Sequence, residues 1–374
     1  MKVEERILSN LENLIAQYEA ELTFLQNRSM NKFDTTQLPK VIQNMVKLAT
    51  AKTPSFSNIS AVAVSNFVLS HLFGQIRPVI NDPIYSDDKI GINTYSIIIS
   101  RSGSGKDSTY QALSKAVSEA HELIASQHLL ELEEKAKQKF IRDAKKTTPD
   151  LDESTVTRDA YEHIIDKPET TIASLGSTRG GLTTSLNRMA KHNFGIKSLF
   201  ASELGLAIQS NSSIVEVLEL FSTLYDMGES VSPEFKTQES KEESVNGMFP
   251  NLLGISSPAP FYTEGNVRKL LVPMLTTSLA RRVNIVFSNA SEEFENEHIP
   301  ENPTERREIQ AKARVVLKEY TEELNKHFVK CVKHALADPV IMFDDEAQYI
   351  YDDYKSYTQD LSKYILLKDG DSVE

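Results

Sequence analysis

The stretch YSIIISRSGSGKDSTYQAL, residues 95–113, restricts the possible folds of this chain more than any other. Its first six residues form an isoleucine-rich run with the length of a strand buried on both faces. Small residues and a lysine follow, and then Ala112, Leu113, Ala116, Val117, Ala120, Leu123 and Ile124 recur at helical spacing, which predicts one long helix. A strand that turns through glycines into a helix N-terminus gathers backbone N–H groups and the positive end of the helix dipole at one point, an arrangement suited to a phosphate. Against the pattern G-x-x-x-x-G-K-[ST], Ser100 takes the first glycine position, Gly105 and Lys106 match, and Asp107 replaces the hydroxyl residue that normally touches Mg²⁺. Ser102, Gly103, Ser104, Gly105 and Lys106 are therefore the expected cradle. Asp107 either reaches the cation through its carboxylate or favours the helix dipole and leaves the metal to Ser108. The plain alternative is a strand-to-helix turn with a solvated lysine.

Around this segment the chain alternates. Ile7, Leu11, Leu14, Tyr18, Leu22 and Leu25 predict an amphipathic helix, and two further helical patterns between Leu38 and Phe73 are split at Pro54. The second, ISAVAVSNFVLSHLF, is apolar nearly all round and is expected to be buried. Proline, Asn-Asp-Pro and glycine between Arg77 and Asn93 predict a loop or hairpin. Past Gln127 the helix after the lysine becomes charge-laced, which reads as a solvated, projecting arm of about 111–150. The runs TTIAS (170–174), SLFASE (198–203), NLLGISS (251–257) and NIVFSN (284–289) are further strand candidates with helical material between them, so the sheet is expected to be mostly parallel. From Thr304 to the end the pattern reads as helix. The expected division is a helical region at 1–90, an α/β core at 91–300 and a helical region at 301–374.

Three of these segments carry polar residues where a nucleotide-hydrolysing site needs them. Glu203 leaves the end of SLFASELG, where an acid can hold Mg²⁺ and polarise water, with Ser202 in the place of a preceding aspartate. Asp107 would supply the carboxylate missing there. Ser256 or Ser257 ends a neighbouring strand as a polar sensor of the terminal phosphate. Arg281 and Arg282 lie between an apolar stretch and a strand, where an arginine can neutralise charge on a neighbouring subunit's nucleotide or serve as a surface cation.

Bulk properties narrow the partners. A formal charge of -12 excludes a generally basic surface, so nucleic acid would be met through a local patch or a ring interior. The one cysteine, Cys331, cannot close an internal disulfide, which suggests a reducing compartment. MKVEERILSN is charged, and no apolar run has membrane-spanning length, so a cytoplasmic protein is expected.

The segments SRSGSGKDS, GSTRGGLTTSL (176–186), SLFASELG, NLLGISSP and SLARRVNIVF, in this order, resemble the P-loop ATPase domains of phage and mobile-element primase-helicase proteins, a family of unknown-function domains related to hexameric replicative helicases. The resemblance spans roughly residues 38–290. It implies a RecA- or AAA+-like P-loop NTPase core with helical flanks, binding ATP and Mg²⁺. Lys106 and Asp107 would lie at the phosphates and metal, Glu203 would be the catalytic acid and Arg281 the arginine finger. It further implies a homo-oligomeric ring, with a hexamer as the candidate size, acting on single-stranded DNA in the host cytoplasm. A helicase loader, a nucleotide-binding module without hydrolysis and a small-molecule kinase are the rival readings of the same residues.

Overall fold

The computed structural model describes residues 35–53, 56–76, 79–81, 89–100, 105–166, 169–173, 177–191, 196–210, 213–225, 245, 247–260, 269, 282–288, 302–338 and 340–341. The helical stripe expected over Ile7–Leu25 lies outside them. Two helices come first, α1 (Lys40–Lys52) and α2 (Asn58–Gly74), the second capped by the Ser57 hydroxyl on the Ser60 N–H. The hairpin expected after Arg77 is formed by β1 (Val79–Asn81) and β2 (Lys89–Gly91), which pair antiparallel.

The central sheet has five strands, all parallel: β3 (Tyr95–Ser100), β4 (Ile172–Ala173), β5 (Ile196–Ala201), β6 (Phe249–Ser256) and β7 (Val283–Ser288), in the spatial order β4-β5-β6-β3-β7. All five strand segments expected from the sequence are present. Period-two alternation divides their side chains between two cores. Ile98, Leu253, Ile255 and Val286 face a cluster with α1, α2 and the helices after β3, whereas Tyr95, Ile97, Leu199, Ala201 and Leu252 face a second cluster. The first cluster contains α3 (Lys106–Ala116), α4 (Ser118–Ala144) and α9 (Pro303–Ala337); the second contains α6 (Arg179–Lys191), α7 (Leu204–Ser210) and α8 (Ser213–Leu224). A short α5 (Arg158–Tyr161) packs on α4.

Handedness explains this partition. From β3 the chain moves along the sheet to β4, the far edge, and then returns through β5 and β6. Parallel crossovers are right-handed, so reversing the direction of travel moves the connecting helices to the opposite face. Helices α3 and α4 therefore cover one face, and α6, α7 and α8 the other.

Two helical expectations are corrected. The helix after Lys106 is broken at Val117 (φ -116, ψ 7), where α3 ends and α4 begins. Nor is α4 a free arm, because Ala120, Ile124, His128, Leu132 and Ala136 form a buried stripe and α4 packs along α9. Their one-turn spacing keeps them on one side while the charges between them remain in water. The first helix of the C-terminal region stops at Ala337, and residues 342–374 lie outside the described residues. Asp338-Pro339 removes the next helical N–H, and Val340–Ile341 (β8) pairs parallel with β1 in a second sheet ordered β2-β1-β8. Among the described residues no helix is long and apolar enough to cross a membrane.

Candidate functional site

In an all-parallel sheet every carboxyl end lies at the same edge. Ser100, Ala201 and Ser256 are the last residues of β3, β5 and β6, and the register pairs Ile99 with Ser256 and Ala201 with Gly254. β3 and β6 are neighbours whose following connections leave on opposite faces: α3 joins the first cluster, while Pro260, just after β6, lies against Gly205 of α7. Such a reversal opens a crevice at the carboxyl ends, the usual ligand position in open α/β sheets.

Gly105 enters this crevice from β3 and caps α3 in the left-handed region, with φ 72 and ψ 21. A Cβ there would lie 2.2 Å from Thr53 Cγ2. Thr53, the C-terminal cap of α1, also places Oγ1 3.5 Å from the Gly105 carbonyl, so α1 buttresses the turn. The Gly105 carbonyl accepts from both the Thr109 N–H at 3.0 Å and Thr109 Oγ1 at 3.3 Å, which closes the first turn of α3. Lys106 opens that helix. Asp107 is exposed on the first turn and Ser108 half-buried. Ser102, Gly103 and Ser104, and the side chain of Lys106, lie outside the described residues.

Glu203 occupies the turn two residues beyond β5, immediately before α7. Ser256, fully buried at the end of β6, accepts from the Gly205 N–H at 3.3 Å and donates to the Ser257 carbonyl at 3.0 Å. Its hydroxyl thus ties β6 to the first turn of α7 and sets the position of the Glu203 turn. Gly205 permits this approach: a Cβ would meet Pro260 at 2.6 Å and Ser256 Oγ at 2.9 Å. Three of the sequence-selected groups, the α3 N-terminus, Glu203 and Ser256, therefore share one edge.

Among the described residues no group of three or more His, Cys, Asp or Glu side chains could hold a metal ion unaided.

Arg281 lies outside the described residues, but its neighbour Arg282 is placed. It stands at the amino end of β7 and donates through one terminal nitrogen to Ser222 Oγ at 3.4 Å. Six residue steps of about 3.3 Å, or ~20 Å, separate it from Ser288 at the carboxyl edge, so Arg282 does not serve the crevice of its own chain.

The sequence reading overlooked Thr53, whose contact with Gly105 spans 52 residues and leaves no local pattern. It also overlooked Lys197, buried in β5. Lys197 Nζ donates to the Thr170 carbonyl and to Ser185 Oγ at 2.8 Å, while Ser185 Oγ donates to Glu169 at 2.8 Å and Arg188 to Glu169 at 3.1 Å. Burial lowers the Lys197 pKa, an effect only partly offset by Glu169. Burial alone would raise that of Glu169, but its hydrogen bonds to Ser185 and Arg188 and the charges of Lys197 and Arg188 outweigh it and hold the carboxyl below its usual range. This network fixes the two-residue β4 to the sheet. Compared with known proteins, the chain matches no family model, no curated protein and no solved structure.

Proposed function

We propose that this chain is an ATP-hydrolysing P-loop motor of RecA or AAA+ type, assembled as a ring of identical subunits and acting on single-stranded DNA in the replication of a phage or mobile element. The observation that supports the ATPase reading is the convergence of the Gly105-capped helix, Glu203 and Ser256 at the carboxyl edge, beside the reversal in strand order. The DNA and ring parts rest on the family resemblance.

In this reading the backbone from Ser102 to Lys106 and the α3 dipole receive the β and γ phosphates, and the Lys106 ammonium neutralises their charge. Asp107 or Ser108, with Glu203, would hold Mg²⁺, which when bound shields the phosphate oxygens. Glu203 orients the attacking water and accepts its proton. Ser256 fixes the Glu203 turn relative to β6. Arg281 completes the site of the adjacent subunit.

The test is ATP hydrolysis with and without single-stranded DNA. The motor is expected to be DNA-stimulated, whereas turnover indifferent to DNA would favour a loader. Lys106→Ala should abolish turnover and weaken nucleotide binding. Glu203→Gln should retain binding and lose about 10²–10⁴-fold in turnover, since the amide keeps the shape without the base. Near-parental hydrolysis by both variants would remove the ATPase reading.

A further inference from the structure

A cavity of about 830 Å³ lies among α2, α3, α4 and the β4 segment; Phe67, His71, Gln75, Tyr110, His121 and His128 are among the residues lining it. Neither Gly105, Asp107, Ser108, Glu203 nor Ser256 lines it. Its size is that of a pocket for a small organic ligand, and it has the usual makeup of apolar and aromatic walls with a few convergent polar groups.

Those polar groups are ordered by Gln75. Its amide Nε2 donates to the His71 carbonyl at 3.0 Å, which fixes the amide orientation, because the amide oxygen would repel that carbonyl. The same Nε2 lies 3.2 Å from His71 Nε2 and 3.1 Å from His121 Nδ1, and an amide nitrogen does not accept. With one amide hydrogen on the His71 carbonyl, the other is shared between the two ring nitrogens, and both of these are therefore unprotonated. It follows that His71 carries its proton on Nδ1 and donates to Ser198 Oγ at 2.7 Å, while His121 carries its proton on Nε2. The bond to Gln75 uses only Nδ1 of His121, so the Nε2–H remains for a ligand.

We propose that this cavity binds an uncharged, flat nitrogen heterocycle, packed between Phe67, Tyr110 and the Ala125 and Leu129 side chains of α4 and accepting a hydrogen bond at an unprotonated ring nitrogen from His121 Nε2–H. The absence of charge follows from the surroundings. Burial holds His71 at about 3 and His121 and His128 at about 4, so all three are neutral near neutral pH. An environment that refuses a proton to three imidazoles imposes the same desolvation on a ligand cation. Glu169, the carboxylate on the rim, is already engaged by Ser185 and Arg188.

The test uses isoquinoline as the probe, with the 374-residue chain at mildly alkaline pH, without nucleotide, followed by calorimetry. Saturable binding of one isoquinoline per chain is expected, tighter than that of indole, a similar bicycle whose nitrogen donates instead of accepting. The cation N-methylisoquinolinium should not bind. His121→Phe should weaken isoquinoline roughly two- to tenfold, the range of one neutral hydrogen bond, and leave indole unchanged. Ala125 lines the cavity from an exposed position on α4, so Ala125→Trp should block both bicycles while circular dichroism stays unchanged. The proposal is overturned by absent binding, by equal affinity for indole, by binding that survives Ala125→Trp, or by displacement with ATP, which would make the cavity part of the nucleotide site. Because binding is read without turnover, loss of the ATPase reading leaves this result intact.

Discussion

At position 105 two independent constraints exclude every side chain. A φ of 72° costs an L-residue about 1–2 kcal/mol, and the Thr53 methyl occupies the space a Cβ would need. Gly105→Ala is therefore expected to lose at least about 1–2 kcal/mol in urea unfolding and to displace α1 from the turn. Thr53→Ser removes the obstructing methyl and keeps the hydroxyl. Adding it to Gly105→Ala should recover the steric part of the loss but not the backbone part, and full parental stability of Gly105→Ala alone would show that the turn does not hold this conformation. By contrast, Asp107 is exposed, so its importance should appear only with cation and nucleotide present. Comparing Mg²⁺ titrations of Asp107→Asn and Ser108→Ala assigns the role: the larger defect is expected in Asp107→Asn, because a carboxylate holds Mg²⁺ better than an amide.

Between elements, the histidine network joins α2, α4 and β5 through Gln75 and Ser198. Its energetic consequence has a definite sign. An unfolded imidazole titrates near 6.5, whereas burial lowers His71 to about 3 and His121 and His128 to about 4. Between these values the unfolded chain binds protons that the folded chain refuses, so stability is fully present above about pH 6.5 and falls on acidification toward the folded values. Each imidazole contributes a slope of the order of 1.4 kcal/mol per pH unit within that window. Urea midpoints measured downward from neutral pH should fall steeply, and His121→Phe should flatten the profile by one imidazole's share. A pH-independent midpoint across that interval would mean that the three rings are not buried neutral.

For the whole molecule, the role of Arg281 bears on assembly. Arg281 lies outside the described residues; if it is the arginine finger that the family resemblance implies, it acts on the nucleotide of a neighbouring subunit. Arg281→Ala subunits would keep a working cradle and acid, while Lys106→Ala subunits would keep the arginine, so mixing the two inactive variants should restore part of the hydrolysis. Such arginines are worth ~10³-fold or more in turnover, which gives the recovery a wide measurable range. A mixture as inactive as either component, with mixed oligomers demonstrated by mass, would confine Arg281 to its own subunit or to the fold.

The sequence alone determined the five strand segments, the glycine turn before a helix and the acid that ends SLFASE, because each is a local pattern: an apolar run of strand length, a residue free to take positive φ, a polar residue at the end of a buried run. Burial of ISAVAVSNFVLSHLF was equally legible, since a helix apolar all round has no side to give to water. The helix break at Val117 was not, because the apolar spacing continues unchanged across it, and the anchoring of α4 was not, because its buried stripe of Ala120, Ile124, His128, Leu132 and Ala136 includes two alanines and a histidine and is surrounded by charges. Strand order was decided only in three dimensions: nothing within Ile172–Ala173 says that it pairs with β5, or that β6 separates β5 from β3. Tertiary structure likewise brought Thr53 to Gly105 and Gln75 to His121, since contacts between residues far apart in the chain depend on how whole layers pack and leave no periodicity along it.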